Sequence, residues 1–228
     1  CALPICLMAG AWGTLGLLTE VSLKVLPVAP AEATLRFECN QADALRKLHA
    51  WGGQPLPLNA SCWVEDAGVG QLYVRLRGAV AAVDAACKSM GGTRLDNATA
   101  APDWQACREQ TLPWFAARLA RPGQALWRLS LPATAPVLAL PGGVSPLVEW
   151  HGALRWVQAP LAHGDVLREA ARAVGGSASL FIADGAGGER AGGQLDLKSA
   201  ALEQIHARLK HSFDPAGIFN PGRMAPQW

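Results

Sequence analysis

Ser61-Cys62-Trp63-Val64-Glu65-Asp66-Ala67-Gly68-Val69-Gly70-Gln71-Leu72-Tyr73-Val74-Arg75-Leu76-Arg77 is the stretch on which the fold turns. Residues 61–65 and 71–77 read as strands, with Arg75 and Arg77 alternating onto one face of the second. The segment between them has the length and glycine content of a hairpin loop. Upstream, residues 33–39 form another strand pattern, and Asn40 is a good N-cap for a helix reaching about Trp51. Ala44, Leu48 and Trp51 share one face of that helix, and Gly52, Gly53, Pro55 and Pro57 stop it. Downstream, Val80, Val83, Cys87 and Met90 recur at helical spacing, Gly91-Gly92 ends the helix, and residues 93–95 start a further strand. The order is β-α-β-β-α-β, the plan of a ferredoxin-like split βαβ unit.

A second block repeats the pattern. Residues 125–131 read as a strand and residues 132–143 as a proline-rich, weakly helical stretch. Residues 147–150 and 153–157 form a hairpin about His151-Gly152. A helix with Leu167, Ala170, Ala171 and Val174 on one face ends at Gly175-Gly176 and leads into a strand at 177–182. The two Gly-Gly pairs lie about 84 residues apart, a repeat marker. The expected fold class is α+β: two ferredoxin-like halves, the second lacking its first helix, in one antiparallel sheet with helices on one face. A proline-punctuated connector around residues 97–124 is expected to bridge them. Residues 15–26 alternate loosely and are expected to form a half-buried strand, with Pro27 and Pro30 marking a domain boundary. Ser199 should cap a last helix carrying Leu202, Ile205 and Leu209.

Composition narrows the function classes. Of 228 residues, 50% are hydrophobic and 17% charged, which excludes general disorder. Twenty Lys and Arg against 18 Asp and Glu give a net charge of +2, too balanced to indicate nucleic-acid binding. The apolar runs fall short of the ~20 residues a spanning helix needs. Six cysteines without any Cys-x-x-Cys pair read as reduced core thiols, hence a cytoplasmic protein. The opening Cys1-Ala2-Leu3-Pro4-Ile5-Cys6 could be encoded by TGTGCTCTTCCGATCT, which reads like the end of a sequencing adapter. Residues 1–6 are therefore expected to be an assembly scar.

No catalytic centre emerges from spacing alone. Gly68-x-Gly70 precedes a strand and has Tyr73 where a dinucleotide loop needs its third glycine, so it reads as a turn. His49, His151, His163, His206 and His211 lack metal-ligand spacing and read as surface residues. Trp127, Trp150 and Trp156 could line an aromatic pocket, but are expected to fill the sheet core or a subunit contact. The glycine-rich Asp184-Gly185-Ala186-Gly187-Gly188 reads as a connector able to approach a ligand. Two segments say more. Gly10-Ala11-Trp12-Gly13-Thr14-Leu15-Gly16-Leu17-Leu18-Thr19-Glu20 spaces three glycines at intervals of three, letting its backbone turn tightly against a bulky ligand. Phe213-Asp214-Pro215-Ala216-Gly217-Ile218-Phe219-Asn220-Pro221-Gly222-Arg223-Met224 pins an irregular tail that presents the Asn220 amide.

Together these two segments resemble the ends of flavin oxidases of the vanillyl-alcohol oxidase superfamily. Leu-Trp-Arg-Leu-Ser-Leu-Pro at 126–132 and Gly-Ala-Leu-Arg-Trp at 152–156 are similar, more narrowly, to the FAD-binding subunits of bacterial glycolate oxidases. The resemblance implies that residues 1–27 end an FAD-binding domain, 28–213 form the cap domain, and 214–228 form a tail returning to the flavin. It implies FAD contacts from the backbone of Gly13, Thr14, Gly16, Leu17 and Leu18 and from the Asn220 side chain. Related 2-hydroxy-acid dehydrogenases hold a metal through His-x-Gly-Asp-Gly-Asn-x-His. If Asp184-Gly185 matches that Asp-Gly, Phe181 and Gly188 replace the histidines, so neither metal binding nor general-base catalysis is expected here.

The expected role is therefore electron relay or assembly in an oxidoreductase complex acting on the CH–OH group of a small 2-hydroxy acid. The implied partners are a sister FAD-containing catalytic subunit and an iron–sulfur subunit, at the inner membrane only through the complex. The flavin's pyrophosphate-cradling loop is missing from this sequence, so weak FAD binding and no activity in isolation are expected. The competing readings are an independent FAD-linked 2-hydroxy-acid dehydrogenase and a non-catalytic docking domain.

Overall fold

A computed structural model of the chain describes residues 7–118, 121–183, 196 and 199–225. In chain order its elements are β1 (Ala31–Glu38), α1 (Gln41–Gly52), β2 (Leu58–Asp66), β3 (Val69–Gly78), α2 (Val80–Met90) and β4 (Thr93–Leu95). Then come α3 (Asn97–Glu109), α4 (Pro113–Ala116), β5 (Ala125–Ser130), β6 (Leu147–Glu149), β7 (Leu154–Ala159), α5 (Gly164–Ala173), β8 (Ser177–Ile182) and α6 (Ala200–Phe213). The strands form one eight-stranded sheet in the order β4-β1-β3-β2-β6-β7-β5-β8. Every neighbouring pair is antiparallel. The two halves are mirrored in the sheet and meet where β2 pairs with β6 through Cys62–Glu149 and Trp63–Val148.

Local chemistry explains the elements. The β2–β3 hairpin turns on Ala67 (φ 48°) and Gly68 (φ 81°), both left-handed as a two-residue type I′ turn requires. Gly70 is needed because a Cβ there would collide with the Cys39 carbonyl. Asn40 caps α1 by accepting the Asp43 N–H at 2.9 Å, and Ala44, Leu48 and Trp51 are buried as their spacing predicts. Gly91 (φ 68°) ends α2. On α2, however, Val80 stays exposed and Ala86 joins Val83 in the core.

Strand alternation divides the core between the two faces of the sheet. On one face Ala33, Leu35, Phe37, Leu72, Val74 and Leu76 pack under α1 and α2. On the same face Trp127, Leu129, Val157, Ala178 and Leu180 pack with Leu167 and Ala171 of α5. The opposite face is not open: Cys62, Leu126, Leu147 and Trp156 meet Ala100, Trp104 and Cys107 of α3 and Phe115 of α4. The expectation of helices on one face is thus corrected, and so is the connector. Residues 97–109 are helical despite Pro102, because Asp96 caps the helix by accepting the Thr99 N–H at 3.1 Å and three residues are buried along one stripe. The hydrogen bond lost at Pro102 costs less than that burial gains.

Residues 15–26 form no strand among the described residues: β4 and β8 are the edges of the sheet, this segment pairs with neither, and Leu17, Leu23, Val25 and Leu26 are exposed. An alternating pattern becomes a strand only when a partner edge satisfies its backbone. Trp127 and Trp156 are core residues, but Trp150 is 72% exposed on the β6–β7 turn. On α6, Leu202 and Ile205 are exposed, whereas Lys210 is buried. The 1–6 scar and the 184–188 loop lie outside the described residues. Cys39, Cys62, Cys87 and Cys107 are free thiols. No helix of the described residues is long and apolar enough to cross a membrane.

Candidate functional site

The burial of Lys210 leads to the site. α6 starts at Ser199, whose hydroxyl accepts the Leu202 N–H at 3.3 Å, and its last turn carries Lys210 inward. The ammonium Nζ donates to Asp214 Oδ2 at 2.5 Å, to the Phe219 carbonyl at 2.8 Å and to the Thr14 carbonyl at 2.7 Å, a partner 196 residues away. All three ammonium hydrogens are therefore used, which is what a buried lysine requires. Asp214 in turn accepts the Ile218 N–H at 3.0 Å and the Phe219 N–H at 2.8 Å, curling the Asp-Pro tail back onto the helix end.

The glycine-rich segment supplies the other side. Thr14 is buried, and its hydroxyl donates to the Ala11 carbonyl at 2.7 Å and to Met224 Sδ at 3.3 Å. Trp12 (φ 52°) and Gly13 (φ 69°) are left-handed. The Asn220 side-chain amide, itself on a left-handed residue (φ 42°), donates to the Trp12 carbonyl at 3.0 Å and the Gly13 carbonyl at 3.3 Å. A Cβ at Gly13 would stand 2.8 Å from Asn220 Nδ2, so glycine is required both by its φ and by this approach. The two segments singled out in the sequence are thus one site. Of the residues expected to touch flavin, Gly13, Thr14 and Asn220 meet directly, Gly16 lies beside Met8, and Leu17 and Leu18 extend exposed from the turn.

Rings tie this site to the sheet. Trp12 stands edge-on to Phe181 at 6.4 Å, Phe181 to Trp156 at 5.0 Å, Trp156 to Phe115 at 5.7 Å, and Phe115 to Trp114 at 5.1 Å. The Arg223 guanidinium lies 5.8 Å from the Trp12 ring. Phe181, at one of the compared histidine positions, is therefore a packing residue between two tryptophans; Gly188 is outside the described residues. Among the described residues no group of three or more His, Cys, Asp or Glu side chains is arranged to hold a metal.

Burial alone would raise the pKa of Asp214, but the Lys210 ammonium and the Phe219 and Ile218 amides outweigh it and lower the carboxyl to about 2. Because this lies below the value of an unfolded aspartate, the stabilisation is complete above about pH 4 and is lost as pH falls toward 2. The Ile218 and Phe219 amide resonances should titrate together with a midpoint near 2. A midpoint at the ordinary aspartate value near 4 would refute the clasp. Sequence reading missed Lys210 because a lysine on a helix normally marks the solvent side. Its only local signal was the carboxylate of Asp214 at i+4.

No family model matches the chain. Among curated proteins it is 41% identical, over 218 residues and 96% of its own length, to "Glycolate oxidase subunit GlcE" of Escherichia coli (strain K12). It spans about half of that protein, 56% of its length. The chain is a homologue of part of this glycolate oxidase subunit.

Proposed function

We propose that this chain supplies the cap and the closing tail of the FAD-binding subunit of a complex that oxidises glycolate to glyoxylate. The observation that carries the reading is the clasp: the Gly13–Thr14 turn and the Asn220 tail are held together by Lys210 and by the Asn220 amide. In this reading residues 1–27 end the FAD-binding domain, residues 28–213 are a cap built of two ferredoxin-like halves, and residues 214–228 are the returning tail. The 4-1-3-2 strand order of the first half and its mirrored counterpart support the two-half description. The exposed apolar side chains of residues 17–28 support a further strand partner for that segment.

The residues present fit a flavin. Open space lies above Gly10 and Gly16, where a Cβ would meet nothing closer than Met8 Cε at 4.0 Å, so a broad ligand can approach the backbone. Arg223 Nε is buried without a partner among the described residues, a donor available to an acceptor-rich group. Gly13, Thr14, Gly16, Leu17 and Leu18 would offer backbone groups, and Asn220 Oδ1 could accept from a ring N–H while its Nδ2 holds the turn. FAD, when bound, would supply a carrier able to hold two electrons and pass them on to an iron–sulfur partner. Removal of the substrate α-proton is assigned to a sister FAD-containing subunit, because Phe181 cannot act as a base. This chain then relays electrons or organises the assembly, in the cytoplasm or at the inner membrane through its partners.

Flavin binding tests the reading. The chain alone should carry well under one FAD and bind it with a dissociation constant of roughly 0.1 mM or weaker. At millimolar FAD the resonances of Gly13, Thr14, Gly16 and the Asn220 side-chain amide should shift while those of β1–β4 stay in place. Shifts confined to other regions would overturn the site. One tightly bound FAD per chain would contradict the expectation that most flavin contacts come from outside it.

A further inference from the structure

On the second face of the sheet, under α3 and α4, lies a cavity of about 490 Å³, within the size range of small-molecule sites. Its walls include Thr34, Cys62, Tyr73, Trp104, Trp114 and Leu147. Two of its aromatic walls are fixed. Trp104 donates from Nε1 to Thr34 Oγ1 at 2.9 Å, and Trp114 packs edge-on to Phe115 at 5.1 Å. Its lining also carries the carboxylates Glu65, Asp66 and Asp103 and, among the described residues, contains no Lys, Arg or His. Behind the wall, Glu149 adds a fourth carboxylate, held by the Cys107 thiol at 2.9 Å and by Trp156 Nε1 at 2.6 Å.

The charges around this cavity act together. Asp66, Asp103 and Tyr73 all line it, and the Tyr73 hydroxyl is pushed above its ordinary value first by burial, with the two aspartates adding to the rise and Arg36 opposing it. Two cations, Arg75 and Arg36, stand close by without entering the lining. Arg75 bonds Asn59 at 2.7 Å and stacks 5.1 Å from the Trp104 ring, and Arg36 is exposed on β1. An apolar, aromatic cavity whose described charged lining is anionic favours a cation and repels a carboxylate.

We propose that this cavity is a binding site for a small organic ammonium, its apolar body between Trp104, Trp114, Tyr73 and Leu147 and its charged head between Asp66 and Asp103. The site is independent of the flavin reading, since the same charges disfavour a 2-hydroxy acid.

Calorimetric titration with three probes sharing one apolar body tests it: 2-phenylethylammonium, 2-phenylethanol and phenylacetate. The ammonium should bind about tenfold or more tighter than the alcohol, and phenylacetate weakest of the three. Replacing both surface carboxylates, Asp66→Asn with Asp103→Asn, should bring the ammonium down to the alcohol's affinity and leave the alcohol unchanged. Ala100→Phe, which fills the cavity, should abolish binding of both. Equal affinities for the three probes, an ammonium preference that survives the double substitution, binding unchanged by Ala100→Phe, or no binding of any probe would each overturn the proposal.

Discussion

Trp156→Ala will lower the free energy of unfolding by about 3–5 kcal/mol, the range for truncating a fully buried tryptophan. Trp156 is 2% exposed on β7, a strand with neighbours on both sides. Its ring contacts Phe115 at 5.7 Å and Phe181 at 5.0 Å, and its Nε1 donates to Glu149 at 2.6 Å. Truncation therefore opens a cavity and removes a hydrogen bond from a partly buried carboxylate. It also breaks the row of rings between α4 and Trp12, so the clasp at Thr14 should loosen together with the core. Trp156→Phe restores a ring but not the N–H donor, and should recover more than half of the loss. Urea unfolding measures both, and a loss below about 1.5 kcal/mol for the alanine variant would show that the ring is not central to the fold.

Arg155→Ala should destabilise by about 3 kcal/mol or more, through a different mechanism. Arg155 is 1% exposed, and its guanidinium donates to the carbonyls of Ala135 and Pro136, each at 2.6 Å, and of Gly152 at 3.4 Å. Burial pushes its pKa down to about 10, so the charge is held by carbonyl dipoles in place of a carboxylate. These bonds secure residues 132–143, the stretch that stands where the first half of the sheet has α1. Losing them leaves the carbonyls without their donors and frees the proline-rich segment. Arg155→Lys keeps the charge but not the planar fork, so it should recover less than half of the stability. Equal stability of the lysine and wild-type chains would show that charge alone, without the fork, holds the loop.

The parts of the fold legible in the sequence are those whose physics is local. The hairpin at Ala67-Gly68, the Asn40 cap and the left-handed Gly91 each depend on residues within one turn. The two-residue alternation of β3 and the spacing on α1 identify their buried faces without knowledge of any partner. Helix α3 was hidden because Pro102 stands inside it, and its stability comes from a sheet face that no local pattern announces. The alternation of residues 15–26 misled for the opposite reason, since a strand pattern does not supply the edge it must pair with.

The candidate site divides in the same way. The glycine spacing of residues 10–16 and the Asp-Pro and Asn-Pro-Gly turns of the tail marked both halves of it, because left-handed and proline-fixed backbone is written in residue type. Only the tertiary structure could decide that they meet, and that Lys210 is the residue joining them. A lysine is stable in the interior solely when each ammonium hydrogen finds an acceptor. Here one of those acceptors, the Thr14 carbonyl, is 196 residues away along the chain.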